Sequence, residues 1–152
     1  MNNNIYWYCR AFDQQSLKEL YDSMALRQEV FVVEQECAFL DADGIDTECT
    51  HLFGYEDDKL AAYTRLVPAG VVYKECSIGR VVTSPSQRGK QLGRELMQRS
   101  IDWIENHWGK QPIKIGAQQR LQNFYESLGF EVSGDPYMED GILHIHMVRA
   151  AS

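Results

Sequence analysis

The first half of the chain alternates between two hydrophobic periods, which predicts strands separated by one helix. The run IYWYCRAF and the run THLFGYEDDKLAAYTRLVP are rich in apolar and aromatic residues, and the second predicts a hairpin with the polar turn EDDK. Between them, Ser16 and Glu19 have capping-box spacing ahead of apolar residues at helical intervals, which predicts a helix ending near Val30. A short helical piece and an acidic loop, DADGID at 41–46, should follow, since Asp and Gly favour turns.

The second half contains the clearest helix of the sequence. The stretch ECSIGRVVTSP predicts a strand that stops at Pro85, which cannot continue a hydrogen-bonded ladder. From Gly89 the spacing becomes helical, with Leu92 and Leu96 on an apolar face. IKIGA then predicts a strand, QQRLQNFYESLG a helix capped by Gly129, and FEVSG and ILHIHMVR two last strands around the turn MEDG. The expected result is a largely β fold flanked by helices.

Length and composition restrict the possible functions. A chain of 152 residues with 44% hydrophobic residues fits a single domain with one core, and we expect that domain to span residues 1–152. A net charge of −7 argues against nucleic acid or an anionic membrane as a partner. No apolar run reaches the ~20 residues of a spanning helix, the amino terminus lacks a signal-peptide pattern, and the cysteines lack the close pairs of zinc sites. We therefore expect a cytoplasmic protein.

One basic segment contrasts with this acidic chain. TSPSQRGKQLGRELM, residues 83–97, places two glycines and the basic side chains Arg88, Lys90 and Arg94 at the predicted start of the long helix. Free main-chain N–H groups and the helix dipole favour an anion there, and the setting suits a phosphate or diphosphate. A solvated helix start whose glycines serve only the turn is the alternative. The segment has neither the GK[ST] ending of a P-loop nor a G-x-G-x-x-G motif, so phosphate cleavage is not predicted.

Two segments of the sequence, RGKQLG and NFYESLGF, resemble in sequence and in order two motifs of the GNAT superfamily of N-acetyltransferases. RGKQLG, residues 88–93, is similar to the family pattern R/Q-x-x-G-x-G/A, with Gln91 in place of the first glycine. NFYESLGF, residues 123–130, is similar to the family's F-Y-x-x-x-G-F element. Longer segments that cover most of the chain resemble the ElaA-like subgroup; they are 26–46, 78–84, 116–130 and 137–147. The resemblance implies an α+β fold of the three-layer α/β type, with a mixed, mostly antiparallel, twisted sheet flanked by helices.

The resemblance also implies acetyl-CoA as the cosubstrate. The pantetheine arm would lie along the strand end and the diphosphate on the following turn, with a main-chain amide of Val81 or Val82 facing the thioester carbonyl. Many family members have an asparagine where this chain has Gln118. The implied coenzyme-contacting residues are Val81, Val82, Thr83, Arg88, Gly89, Lys90, Gln91, Leu92, Gly93, Gln118 and Asn123.

For catalysis, the resemblance implies Tyr125 as the general acid that protonates the departing thiolate. The spacing alone, in line with Leu121 and Leu128, would instead assign this aromatic side chain to the core. An alkyl amine is mostly protonated at neutral pH, so a base is also needed. The favoured base candidates are Glu34, His51 and His144, ahead of Asp46 and Glu75.

The resemblance implies a primary amine on a small molecule or a protein as the acceptor, and the acidic segment 27–46 would attract such a cation. No metal is predicted: DADGID lacks the closing glutamate of an EF-hand, and His144 and His146 have no third ligand. One alternative is a non-catalytic acyl-CoA-binding sensor or interaction module on the same fold. Another is a metal-dependent hydrolase, disfavoured by the spacing of its histidines and acids. The sequence leaves open whether the chain forms a homodimer.

Overall fold

A computed structural model describes residues 4–152, in which eight strands form two sheets. The first sheet is antiparallel in the order β1-β2-β3-β4. Its strands are β1 Ile5–Ala11, β2 Thr50–Glu56, β3 Lys59–Val67 and β4 Ser77–Thr83. In the second sheet β8 is central: it pairs antiparallel with β5, β6 and β7. Its strands are β5 Ile113–Gln118, β6 Phe130–Val132, β7 Tyr137–Glu139 and β8 Ile142–Arg149.

Three α-helices flank these sheets. Helix α1, Leu17–Arg27, begins at the predicted capping box: the Glu19 amide donates to Ser16 Oγ at 3.0 Å, and the Ser16 amide donates to Glu19 Oε1 at 2.9 Å. The chain continues from α1 as a π-helical segment, Gln28–Glu34. The other two helices are α2, Leu92–His107, and α3, Gln122–Glu126.

The apolar face of α2 forms the centre of the core. Its side chains at Leu92, Leu96, Ile101 and Ile104 are at most 3% exposed, so the predicted amphipathic pattern is confirmed. The helix begins at Leu92 rather than at Gly89, because the three residues before it form a turn in which Gln91 is left-handed, with φ of 57°. The turn at Gly89 has φ of 82° and requires a glycine-like conformation.

The carboxyl-terminal part differs from its prediction in two places. The predicted helix over 118–129 is an α-helix only at Gln122–Glu126, preceded by a 3₁₀ turn at Gln119–Leu121. Of the predicted turn MEDG, only Asp140 and Gly141 form the turn; Met138 and Glu139 belong to β7, a three-residue strand too short to give a periodic signal. The predicted class is confirmed: an α+β fold with largely antiparallel sheets between helices.

The two sheets separate where the functional site lies. Strands β4 and β5 run parallel and meet at a bridge between Cys76 and Ile113, where the Lys114 amide donates to the Cys76 carbonyl at 2.9 Å. Beyond this bridge they share no ladder, so their carboxyl ends diverge. A cavity opens between them, lined by residues 78–83 on one side and 115–118 on the other. Among residues 4–152, no helix is both long and apolar enough to cross a membrane.

Candidate active site

The cavity between β4 and β5 has a volume of about 590 Å³. Its walls come from the ends of both strands, the π-helical segment, the start of α2, helix α3 and the tip of the β7–β8 hairpin. A pocket formed where parallel strands part is a usual place for a ligand in mixed α/β folds. The cavity is therefore the candidate site, and it collects side chains from distant parts of the sequence.

A bulge in β4 exposes main-chain groups to this cavity. The register places Tyr63 opposite Val82 and Arg65 opposite Gly79, so two residues of β4, Arg80 and Val81, oppose a single residue of β3. Arg80 adopts a left-handed φ of 50°, which a bulge accommodates. Because a bulged residue lies outside the regular ladder, main-chain donors around Val81 can serve a bound ligand. The predicted coenzyme residues Val81, Val82 and Thr83 all line the cavity.

The turn before α2 supplies main-chain N–H groups and positive charge. Gln91 is the N-cap residue of α2, and its side chain makes no capping hydrogen bond, so the first amides of the helix keep no side-chain acceptor. Of the predicted phosphate loop, Arg88 and Gly93 line the cavity. Gly89, Lys90 and Gln91 lie exposed beside the cavity lining, and the side chain of Leu92 is buried in the core. Leu92 can therefore contribute only its main chain.

Tyr125 lies in the cavity wall and is 6% exposed. Its ring packs edge-on against Phe124 and Phe130, with centroids 5.1 Å and 6.0 Å away. The hydroxyl forms no hydrogen bond with any residue in the range 4–152, although a buried tyrosine hydroxyl usually has a partner. Burial raises the pKa of Tyr125 to about 12, so the hydroxyl stays protonated at neutral pH and can act as a donor.

His144 also lines the cavity, and within residues 4–152 one of its ring nitrogens makes no hydrogen bond. Its Nδ1 lies 2.8 Å from the Ile142 carbonyl, which can only accept, so Nδ1 carries the proton. This tautomer leaves a lone pair on Nε2, whose nearest acidic neighbour is Glu139 Oε2 at 3.9 Å. A neutral imidazole with a free Nε2 can accept a proton.

The structure does not bring His51 to the cavity. Its Nδ1 lies 2.5 Å from the Tyr63 hydroxyl, and its Nε2 lies 2.9 Å from the Asp46 carbonyl, so both ring nitrogens are occupied. The side chain is 2% exposed, and burial lowers the pKa of His51. His51 is thus a hydrogen-bonded core histidine. Asp46 and Glu75 also lie outside the cavity lining.

Glu34 reaches the cavity from the end of the π-helical segment, but its carboxylate is paired. Its two oxygens lie 2.5 Å and 2.6 Å from the two terminal nitrogens of Arg88. The hydrogen bonds from Arg88 hold the pKa of Glu34 below its usual value. A paired carboxylate with a lowered pKa is a weak base.

The acidic loop is neutralised by an arginine–aspartate network. Each of three aspartates pairs with two of three arginines at 2.7–3.2 Å, and the six residues are Arg27, Arg65, Arg80, Asp41, Asp43 and Asp46. Burial alone would raise the pKa of Asp43, but the hydrogen bonds from Arg65 outweigh it and lower this pKa to about 2. The aspartates of this loop therefore do not offer the unpaired negative charge on which we based the expectation that the loop attracts a cationic acceptor. The loop is instead fixed against β3 and β4.

Of the two remaining predicted residues, Gln118 lines the cavity and Asn123 does not. The side-chain amide nitrogen of Gln118 donates to Gln35 Oε1 at 3.2 Å. Asn123 lines a neighbouring cavity of about 520 Å³ with Arg120. Within residues 4–152 no group of three or more histidine, cysteine or acidic side chains could hold a metal ion.

Sequence reasoning missed several side chains of the cavity wall. Cys37, Phe39, Glu139 and Asp140 line the cavity, and the Cys37 thiol donates to the Asp140 carbonyl at 3.0 Å. The available signal was the dipeptide Asp140-Gly141, which is typical of a two-residue hairpin turn and would have paired Tyr137–Glu139 with β8.

Comparisons with known proteins agree with this geometry. The sequence model of the acetyltransferase (GNAT) domain family matches residues 18–151. The chain is 40% identical to protein ElaA of Escherichia coli over 147 residues, covering 95% of this chain and 96% of that protein. The crystal structure of an acyl-CoA N-acyltransferase from Pseudomonas aeruginosa has a TM-score of 0.92 at 40% identity, covering 96% of this chain and 99% of that one.

A more distant likeness shows the shared fold only. A GNAT family acetyltransferase from Elizabethkingia anophelis, described with acetyl-CoA bound, has a TM-score of 0.65 at 13% identity, with 98% of this chain and 99% of that chain covered. The family match spans most of the sequence, and the two nearer likenesses extend over nearly the whole chain at 40% identity. The chain therefore belongs to the GNAT acetyltransferase family.

Proposed function

We propose that the protein is an acetyl-CoA-dependent N-acetyltransferase that transfers the acetyl group directly to a primary amine in a ternary complex. The observation that carries this proposal is that Tyr125 and His144 line the same cavity beside the bulge of β4. Within residues 4–152, the Tyr125 hydroxyl and His144 Nε2 make no hydrogen bond. One atom can give a proton and the other can take one. The acetyl-CoA bound to the Elizabethkingia anophelis protein supports that donor for this fold.

The donor would bind with its diphosphate at the turn 88–93 and its pantetheine arm along Val81–Thr83. The uncapped amides at the start of α2 and the guanidinium of Arg88 suit the diphosphate. A main-chain N–H at Val81 or Val82 would stabilise the oxyanion, an interaction whose loss typically costs ~3 kcal/mol of transition-state stabilisation.

In the reaction, the amine nitrogen bonds to the acetyl carbon while its proton passes to His144 Nε2. The acceptor reacts as the neutral amine, after its ammonium proton is lost to solvent. The carbon–sulfur bond then breaks, and the Tyr125 hydroxyl donates its proton to the departing sulfur, so that free thiol is the product. The Tyr125 phenolate regains a proton from the His144 imidazolium through solvent, and both groups return to their starting states. His144 Nε2 suits the role of proton acceptor because it lies in the cavity and makes no hydrogen bond within residues 4–152. Of the three predicted base candidates, we therefore choose His144.

The acceptor would approach from the β7–β8 hairpin. Glu139 and Asp140 line this end of the cavity, and within residues 4–152 neither carboxylate has an arginine or lysine partner. Two free carboxylates attract a cationic amine, of a small molecule or of a protein.

The test is thiol release from acetyl-CoA with a panel of primary amines. We expect Tyr125→Phe and His144→Gln each to lower kcat by about 10²–10⁴-fold, the usual contribution of general acid–base catalysis, while the Kd for acetyl-CoA stays within about twofold. His146→Gln is the matched control, because His146 lies two residues along the same strand and outside the cavity lining. Unchanged turnover in both site variants would refute these assignments.

The same assay separates the enzyme from a sensor module on this fold. Acetyl-CoA at a hundredfold its Kd should raise the free energy of unfolding by ~2.7 kcal/mol in either case. Stabilisation without thiol release across the amine panel would favour the sensor, and no stabilisation at all would refute both.

A further inference from the structure

The ion pair between Arg88 and Glu34 crosses the mouth of the cavity. Arg88 belongs to the turn before α2, on the side proposed for the donor, and Glu34 ends the π-helical segment on the opposite side. The pair is bidentate, at 2.5 Å and 2.6 Å, and both side chains line the cavity. The side chains are 44% and 43% exposed, so water reaches the pair.

The carboxylate of Glu34 occupies the Nη1–Nη2 edge of the Arg88 guanidinium, one of the edges that can bind a phosphate group. Arginine binds carboxylates and phosphates by the same pair of parallel hydrogen bonds, so one guanidinium edge cannot serve both at once. Exposed ion pairs are weak because water and salt screen them, so a multiply charged diphosphate can displace the carboxylate. The exchange breaks no buried contact.

The other basic side chains near this turn are placed differently. The Arg94 guanidinium donates to Ser127 Oγ and lies over the ring of Phe124, and Arg94 does not line the cavity. Lys90 has no ion-pair partner within residues 4–152. Arg88 is thus the basic residue of the turn that both lines the cavity and is held by an acid.

We propose that Glu34 is an internal competitor of the acyl donor: its carboxylate holds Arg88 in the free protein and is exchanged for the donor's diphosphate on binding. The inference rests on the proposed function. Glu34 therefore sets the donor's affinity. It also assists release of the spent coenzyme, because the carboxylate recaptures Arg88 as the diphosphate leaves.

The test is the Kd of CoA, measured by calorimetry at one fixed ionic strength. Removing the competitor with Glu34→Gln should tighten CoA binding by about two- to fivefold, the size expected for an exposed ion pair. Glu36→Gln removes the same charge two residues away, at an exposed side chain that forms no ion pair with the described residues 4–152, and should leave the Kd unchanged. Arg88→Gln should weaken CoA binding, and adding Glu34→Gln to it should then have no further effect.

Dephospho-CoA, which keeps the diphosphate and lacks the 3′-phosphate, identifies the competing group. The tightening by Glu34→Gln should persist with this probe; a tightening that disappears would overturn the exchange with the diphosphate. Unchanged or weaker CoA binding by Glu34→Gln, or tightening that survives in the Arg88→Gln background, would overturn the competition itself. A wild-type protein that binds no CoA would refute the proposed function instead.

Discussion

Replacement of Arg27 by methionine should destabilise the protein strongly. Arg27 is the last residue of α1 and is fully buried; its Nε lies 2.8 Å from Asp41 Oδ2 and its Nη1 lies 3.1 Å from Asp46 Oδ1. Methionine fills a similar volume but leaves both carboxylates without one of their two arginines. Removing one partner from a buried ion pair typically costs about 3–5 kcal/mol.

The structure places the cost at the lower end of that range. Asp41 keeps Arg80 at 2.8 Å, and Asp46 keeps Arg65 at 2.9 Å, so neither carboxylate is left without a counter-charge. We expect a loss of about 3 kcal/mol, which is a large part of the ~5–15 kcal/mol of a typical domain. For a chain of this length, each kilocalorie shifts Tm by about 2–4 °C, so Tm should fall by about 6–12 °C.

The assay is urea unfolding of Arg27→Met beside Arg99→Met. Arg99 is the matched control, because its pair with Glu95 at 3.0 Å is exposed and it lies over the ring of Trp7 at 5.0 Å. Together these exposed contacts contribute about 1 kcal/mol or less. If Arg27→Met lost no more free energy of unfolding than Arg99→Met, the network would not stabilise the fold, and the reasoning from buried charge would be refuted.

Two further predictions concern backbone conformation and pH. Gln91→Gly should raise the free energy of unfolding by up to about 1 kcal/mol, because Gln91 has a left-handed φ of 57° that glycine adopts without strain. Gln98→Gly, inside α2, should instead lower the free energy of unfolding by about 1 kcal/mol. If urea unfolding showed changes of the same sign for the two variants, this prediction would be contradicted. Stability should also fall in acid. The lowered pKa of buried His51 removes stability as pH falls below about 6.5, and the lowered pKa of Asp43 removes more as pH falls from about 3.9 towards about 2. A urea midpoint that stayed constant down to pH 4 would contradict the His51 part.

The elements specified by local patterns could be predicted from the sequence. The Ser16–Glu19 box and the apolar face of α2 depend on residues three or four positions apart, and both are present as predicted. The conformation of Gln91 could not be predicted this way, because a left-handed glutamine contradicts its local preference. The surrounding turn imposes that conformation between the 3₁₀ turn at Pro85–Gln87 and the start of α2.

The site residues that depend on distant pairing could not be predicted. His51 and His144 both follow strand patterns, and the sequence gives no reason to prefer one. The choice depends on topology: His51 lies on β2 beneath Tyr63, whereas His144 lies on β8 beside the cavity. The charge of the loop is a similar case, because Asp41 and its partner Arg80 are 39 residues apart in the chain.

The same contrast between local and distant interactions distinguishes the proposed donor end of the candidate site from its proposed acceptor end. In our proposal, the donor binds main-chain groups of β4 and of the turn before α2, and these groups remain when side chains change, as at Gln91. The acceptor end depends on side chains whose charge is decided by their partners. The arginine–aspartate network cancels the charge of the acidic loop, and Arg88 cancels that of Glu34. At that end, Glu139 and Asp140 have no arginine or lysine partner among residues 4–152, so we expect acceptor preference to respond to changes in this hairpin far more than to changes in the acidic loop.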